Sequence, residues 1–389
     1  MKYTKLARIA GVVLVTVILV VLLIALSRTP ESPIYEFNVP LLLTGVPVGT
    51  KPRVEREYKL AVDFPSDLTN DSDEWERDIQ ASLLSVLSDG AIAGQWAAPT
   101  ISGEKYTIDQ EATQLVMRDF YMDTDDDLLL HNAIALRLRY RFDNKNALVR
   151  HEFAPTVKQH YPFRGEIQVK VVDDESGNGF SVSNEARLEF RETAPPFSSG
   201  KNPPPAPWPI KDYMPVVKTG MYDGSVSTPG NLLANTLMDK GVNGTIDLEV
   251  SLVAISTRTR FHLNMKTGYG SGPNPEQAFI LSFDKTEIYD GESYISFLQA
   301  TNKEPTYRPR PSGIFYEMEI EFERNISTKL DDVVENQNIN AANLLRDAFL
   351  KDQKTIRSVV AELFESRDIE ISMMNLSKYQ RGRSFLVEQ

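Results

Sequence analysis

The chain has 389 residues, no cysteine, a formal net charge of −12 and 41% hydrophobic residues. Without cysteine there are no disulfides, thiolate metal centres or cysteine nucleophiles, and the acidic surplus excludes the broad basic surface that coats a nucleic-acid polymer. Any polyanionic ligand must therefore meet a local basic site, in a chain long enough for two average domains or one all-β barrel with insertions.

Lys2, Lys5 and Arg8 precede an apolar run over residues 9–26. At 1.5 Å per residue the run is about 27 Å long, enough for one membrane crossing. A cleaved signal peptide ending near Ala25-Leu26-Ser27 is the alternative, although such cores usually stop earlier. The basic flank predicts a cytoplasmic N-terminus over 1–8, a single-pass anchor over 9–26 and a globular part outside the cytoplasm. Residues 27–52 read as a linker leading into that part.

Strand patterns follow. Glu55, Glu57 and Lys59 alternate with Val54, Arg56, Tyr58 and Leu60. Trp75, Ile79, Leu83 and Leu87 then recur at helical spacing between Asp71 and Gly90, which predicts a surface helix over 71–90. The acidic run Asp123-Thr-Asp-Asp-Asp127 is not a calcium loop, because Leu128 and Ile134 stand where an EF-hand needs Gly and Glu. It reads as turn and helix-cap chemistry. Arg137 and Arg139 alternate with Leu136, Leu138 and Tyr140; Lys170 lies in a strand over 167–171; Arg187, Glu189 and Arg191 alternate with Ala186, Leu188 and Phe190.

Residues 193–241 are rich in Pro, Gly and Ser around Asn202-Pro-Pro-Pro-Ala-Pro-Trp-Pro209, and predict an extended loop or spacer that adds no central strand. Arg258 and Arg260, then Ser282 and Asp284, then Glu317, Glu319 and Glu321 resume the alternation. A helix over 341–365 carries Leu344, Leu345, Phe349, Ile356, Val360 and Leu363 as its apolar stripe. His131, His151, His160 and His262 are too scattered for a metal cluster, and only His262 shares the phase of Arg258 and Arg260.

Side chains at i and i+2 of a strand share one face. An ordinary wet face mixes polar types, whereas here whole strands are nearly all basic or nearly all acidic. Like charges so placed repel, so acidic strands imply cations and basic strands imply bound anions. Facing into a closed barrel, each ion loses hydration worth several kcal/mol, recovered only by cross-barrel pairing, water or ligand.

Glu55-Arg-Glu-Tyr-Lys59 resembles the ExExK opening of the CYTH domain, the triphosphate tunnel metalloenzyme family of class IV adenylyl cyclases, thiamine triphosphatases and inorganic tripolyphosphatases. The stretch from Phe120 to Arg139 is similar to that family's Tyr-x-Asp-Thr-x-Asp turn, short helix and Leu-Arg-x-Arg strand. Lys170, Arg187-x-Glu189, the strand ending at Asp284 and Glu317-x-Glu-x-Glu321 resemble later family segments in the same order, and Ser377-Lys-Tyr-Gln-Arg-Gly382 resembles a short motif after the last helix. The resemblance runs over 53–386 apart from the insertion at 193–241. Arg191 departs from it, standing where many members have another acid, and no C-terminal phosphohistidine-like helical domain is recognisable.

The resemblance implies an α+β chain dominated by a closed antiparallel eight-stranded β-barrel with peripheral helices. It implies Mg²⁺ or Mn²⁺ on Glu55, Glu57, Glu189, Asp284, Glu317, Glu319 and Glu321, and phosphate held by Lys59, Arg137, Arg139, Lys170, Arg187, Arg258 and Arg260. Glu55, Glu57 and Lys59 are its catalytic candidates, with water as nucleophile and a triphosphate split to phosphate and diphosphate. Three functions stay open: a triphosphatase acting on tripolyphosphate or on a nucleoside or thiamine triphosphate, an adenylyl cyclase, and a membrane protein that binds polyphosphate or another polyanion without turnover.

Overall fold

The computed structural model describes residues 37–40, 46–48, 53–64, 72–102, 105–110, 115–153, 164–176, 180–191, 213–215, 229–242, 246–265, 276–300, 307–322, 339–374 and 376–387. Eight antiparallel strands close into a barrel: β1 Arg53–Asp63, β2 Leu115–Asp123, β3 Ile134–Phe142, β4 Arg164–Ser176, β5 Phe180–Arg191, β6 Glu249–Met265, β7 Glu276–Asp290 and β8 Gly313–Phe322. The chain builds two meanders, β2 to β5 and β6 to β8, joined where β2 pairs with β6. β1 seals the remaining gap. Its residues Arg53 to Tyr58 pair with β5 on one side and Glu57 to Val62 with β8 on the other. A short strand β9, Glu370–Met373, continues beside β1 on Leu60 to Asp63, past the end of the β5 pairing.

The strand alternation turns apolar residues outward, where helices cover them. On one flank Leu60, Leu281, Phe283, Met318 and Ile320 pack with α1, Ser72–Leu87, and a long helix over Ile339–Glu365, through Ile79, Leu83, Leu87, Phe349, Ile356 and Val360. The opposite flank packs Phe120, Leu136, Leu138, Ile167 and Val169 against α2, Leu128–His131, α3, Pro229–Asp239, and α4, Gly291–Ala300. The long helix is α5. Each large apolar side chain so buried stabilises the fold by about 1.5–3 kcal/mol. The outer faces therefore carry the hydrophobic core, and the interior is left for charge. One cation joins the outer core: Arg118, fully buried, sits 5.1–5.6 Å from the ring centroids of Phe120, Tyr140 and Phe142 and 3.9 Å from Glu152.

A final helix, α6 Lys378–Val387, fills one end of the barrel. Tyr379, Phe385 and Leu386 pack among the inward residues Tyr121, Leu252, Ala254, Ile288 and Phe315. Gly382 permits this approach, because a Cβ there would stand 3.0 Å from Ile288 and 3.1 Å from Leu252.

Several expectations need correction. Gly90 does not end the first helix: α1 stops at Leu87, and Asp89 caps a new turn, Gly90–Ala93, by accepting from the Ala91 amide at 2.7 Å. Leu344 is 61% exposed, and Phe364 takes its place in the buried stripe of α5, since 345, 349, 356, 360 and 364 keep one helical phase. The segment 193–241 is not loop throughout. Tyr213–Pro215 pairs with Phe37–Pro40, and Pro229–Asp239 is α3, with Pro229 at the first helical position, where a missing N–H is tolerated, and Leu233 and Leu237 buried. Residues 202–209 lie outside the described residues. The segment 27–52 contributes two strands, Phe37–Pro40 and Val46–Val48, the second paired with Glu189 to Arg191. The expected anchor over 9–26 also lies outside the described residues, among which no helix is long and apolar enough to cross a membrane.

Candidate functional site

The inward faces enclose a polar cavity of about 220 Å³. Its walls bring together Glu55, Glu57, Lys59, Arg137, Arg139, Lys170, Arg187, Arg258, Arg260, Glu319 and Glu321, from strands far apart in the sequence. Asp284 and Glu317 stand side by side in register and are fully buried. Glu189 belongs to β5, opposite Glu166 of β4, but its side chain lies outside the described residues. His262 pairs in register with Ile280, and among the described residues the one group able to hold a metal is acidic: Asp284, Glu317 and Glu319.

On the side formed by β2 to β5, basic residues are locked to carboxylates. Arg139 forks Asp119, its Nε and Nη2 each 2.6 Å from a carboxylate oxygen, and Arg137 adds a third contact at 3.2 Å. Arg137 also donates to Gln168 Oε1 at 2.6 Å and to the Tyr121 hydroxyl at 2.9 Å. Arg141 donates to Glu166 at 2.8 Å, and Arg187 to Glu185. Burial alone would raise the Asp119 carboxyl, but Arg139 and Arg137 outweigh it and hold the group below the usual carboxylate value. Glu166 is likewise held low, with Arg141 as its chief counter-charge against burial.

The other side, formed by β1, β7 and β8, gathers the acids. Lys170 reaches across to Glu55 Oε2 at 2.5 Å and bonds Glu57, while Lys59 lies 3.2 Å from Glu57. Burial would lower the Lys170 ammonium, yet Glu55 and Glu57 raise it above the usual lysine value. Asp284, Glu317 and Glu319 each offer an oxygen within 4.8 Å of the others. Lys378, delivered by α6, lies 2.5 Å from Glu317 and 3.3 Å from Glu319 and bonds Asp284. Arg258 completes the cluster, its Nε 2.7 Å from Asp284 and its Nη2 on Asp284 and Glu319. Burial raises the Glu317 carboxyl above its usual value and Lys378 only partly offsets this; in Glu319 burial is overcome by Arg258 and Lys378, which hold it well below.

This donor set suits a hard divalent cation, which takes carboxylate oxygens. Glu317 is the telling member. It has no exposure; its Oε1 meets the Lys378 ammonium at 2.5 Å, while its Oε2 accepts no hydrogen bond among the described residues, so coordinating capacity is left over.

Sequence reasoning passed over Asp119, Arg141, Glu166, Glu185 and Lys378. The first four were legible, being two residues from Tyr121, Arg139, Gln168 and Arg187 in the same inward phase. Lys378 lies within the Ser377 to Gly382 motif but was given no role, because nothing in its local pattern shows that α6 enters the barrel. The acidic turn at 123–127 does more than expected. Asp123 accepts from the Leu129 and Leu130 amides at 2.7 and 2.9 Å, capping α2, and also from the Tyr379 hydroxyl at 2.7 Å. Tyr379 stacks on Tyr121 at 5.1 Å, and Arg383 pairs with Asp127 at 2.6 Å. The turn thus docks α6 and, through it, positions Lys378.

Among the described side chains, charge in the interior balances. The bases Lys59, Arg137, Arg139, Arg141, Lys170, Arg187, Arg258, Arg260 and Lys378 face an equal number of acids: Glu55, Glu57, Asp119, Glu166, Glu185, Asp284, Glu317, Glu319 and Glu321. Repulsion within each strand is met by opposite charges on neighbouring strands and by Lys378, among the described residues.

No family model matches the chain, and no curated protein matches it. Among solved structures it is similar to an adenylyl cyclase candidate from Hippeastrum described as having a dominant triphosphatase activity, at 13% identity and a TM-score of 0.32, over 85% of this chain and 95% of that one. It is also similar to the RNA triphosphatase of S. pombe, at 11% identity and a TM-score of 0.32, over 80% of this chain and 85% of that one. An adenylate cyclase candidate from Bacillus halodurans aligns at 11% identity and a TM-score of 0.27, over 74% and 90%.

Proposed function

We propose that the chain is a metal-dependent triphosphatase of the triphosphate tunnel type, hydrolysing tripolyphosphate or an organic or nucleoside triphosphate inside the barrel. One observation carries the reading: arginines and lysines line a cavity of about 220 Å³ together with Glu319, which forms an acidic trio with the buried Asp284 and Glu317. Arg137, Arg139, Arg187, Arg258 and Arg260, with Lys59 and Lys170, hold the phosphate oxygens, and the planar guanidinium groups give paired contacts. Mg²⁺ or Mn²⁺ would be held by Glu55 and Glu57 on β1, Glu317 and Glu319 on the adjoining β8 and Asp284 on β7 beyond it, with Glu189 and Glu321 as further acids, and would supply charge neutralisation and an activated water.

The chain's own contribution is positioning and electrostatics. Bases fixed to rigid strands offset charge on the departing diphosphate without reorganising. The closed barrel limits bulk water, and no side-chain nucleophile is required. Because the described interior is charge-neutral, a free polyanion would leave it strongly negative. A divalent cation bound beside the triphosphate offsets part of that charge, so each is expected to bind better in the presence of the other.

A second reading, a polyphosphate binder without turnover, is favoured by one observation: Glu55, Glu57, Asp284, Glu317 and Glu319 are all met by resident lysines or arginines. Incubating the full chain with tripolyphosphate, ATP and thiamine triphosphate, each with Mg²⁺ or Mn²⁺, separates these. Phosphate release from any of them supports the triphosphatase and names its substrate class. Binding without release selects the binder, and cyclic AMP from ATP selects a cyclase. Attachment by residues 9–26, with the barrel outside the cytoplasm, belongs to the same proposal; protease added to intact cells should digest the barrel, and complete protection would reverse the orientation.

A further inference from the structure

We infer that Lys378 is an internal stand-in for a divalent cation: its ammonium occupies the Asp284, Glu317 and Glu319 group until a metal ion takes those carboxylates, and then turns to the cavity. The inference rests on the cation reading of that group and not on hydrolysis.

The Lys378 ammonium contacts all three carboxylates. Three oxygens within 4.8 Å of one another leave room for one cation centre, and an ammonium beside a divalent ion in the same space is repelled by it. The ammonium meets Glu317 on Oε1, and Oε2 accepts no hydrogen bond among the described residues despite complete burial, so the ammonium does not exhaust the group. Arg258, by contrast, grips Asp284 from the adjoining strand with a planar fork. A lysine is a point charge on a flexible four-carbon stem, and of these two cations it is the one able to leave.

The side chain has somewhere to go, since Lys378 already lines the cavity. It can move without undocking α6. That helix is held by other contacts: the Tyr379 hydroxyl on Asp123, Arg381 on the Tyr316 carbonyl at 3.1 Å, Arg383 on Asp127, and Gly382 packed on Leu252 and Ile288.

The test is Mn²⁺ binding to the full chain by calorimetry at low ionic strength with no phosphate present. K378M is expected to bind Mn²⁺ more tightly than wild type, by on the order of tenfold or more, because the competing charge is gone, while K378R, which keeps the charge, shows no such gain. Equal or weaker binding in a folded K378M overturns the inference. Misfolding of K378M would mask the effect, so the wild type supplies an independent measure. Reductive methylation of Lys378, followed by peptide mass spectrometry, should run several-fold faster with saturating Mn²⁺ than without metal; an unchanged rate also overturns it. Tighter Mn²⁺ binding by K378M together with no hydrolysis of any triphosphate would sink the triphosphatase reading and support this one. Hydrolysis together with unchanged Mn²⁺ affinity in K378M would sink this one alone.

Discussion

The two sides of the barrel interior carry similar charges and handle them differently. Across β2 to β5 Asp119, Glu166 and Glu185 are paired with arginines from their own or an adjoining strand, as Asp119 is with Arg137 and Arg139, and the hydrogen-bond geometry is set by strand register. Across β7 and β8 the acids outnumber what their neighbours supply, and the missing charge arrives on Lys378 from the far end of the chain. The first side is complete in itself and forms a preorganised basic wall. The second is complete only conditionally, which is what an exchangeable cation site requires. Buried ion pairs cost desolvation that only good geometry recovers, so the same burial yields rigidity on one side and exchangeability on the other.

The largest expected effect tests the rigid side. Asp119→Ala leaves two buried guanidinium groups without their carboxylate and should cost about 3–5 kcal/mol in urea denaturation, the scale for removing one partner of a buried pair. Glu317→Gln, which leaves Lys378 its contacts with Asp284 and Glu319, should cost less; equal losses in the two variants would erase the contrast. The same aspartate sets a pH dependence. Its folded carboxyl titrates below its unfolded value of about 3.9. Its stabilisation is therefore complete above roughly pH 4 and is lost as pH falls through the lower folded value. In acid titrations followed by circular dichroism, Asp119→Asn should be less stable than wild type at neutral pH and show a flatter acid limb.

Next in size is the split between binding and turnover. Glu55→Gln should lower hydrolysis on the order of 10²-fold, as for loss of one transition-state electrostatic contact, with polyanion binding retained. Lys170→Ala should weaken polyanion binding whether or not there is turnover. If Glu55→Gln binds tripolyphosphate more tightly in the absence of metal and the wild type shows no turnover to lose, the binder reading replaces the enzyme.

Mn²⁺ at a hundredfold excess over its dissociation constant should stabilise the wild type by about 2.7 kcal/mol, read as a raised unfolding midpoint in denaturant. Glu319→Gln should show a smaller rise. A midpoint indifferent to Mg²⁺ and Mn²⁺ would remove the conditional side as a cation site. The smallest effect concerns the helix that delivers Lys378. Tyr379→Phe removes one hydrogen bond to Asp123, which keeps its amide donors, and should cost about 1 kcal/mol. Hydrogen exchange in α6 should rise more than in β2; uniform exchange would show that the hydroxyl does not dock the helix.

Much of the barrel was legible because a strand exposes its two faces at period 2, and each charged stripe announced its phase without knowledge of its neighbours. Glu55, Glu57 and Lys59, Arg137 and Arg139, and Glu317 to Glu321 could be placed inward on that ground, and Ile79, Leu83 and Leu87 could be placed on a buried helical face. Local pattern failed where neighbours decide. Leu344 and Phe364 compete for one stripe, and only the packing of α5 on the barrel chooses between them. Pro229–Asp239 lies in a segment whose composition argues for loop, yet Leu233 and Leu237 find a core to enter.

What the sequence by itself determined was therefore the alternation: which residues share a face, and that the shared faces are charged. Who neutralises whom was decided by tertiary structure alone. Coulomb energy depends on distance in space, and closure of the barrel brings Lys170 to Glu55 and Lys378 to Asp284 across separations of 115 and 94 residues, which no periodicity encodes.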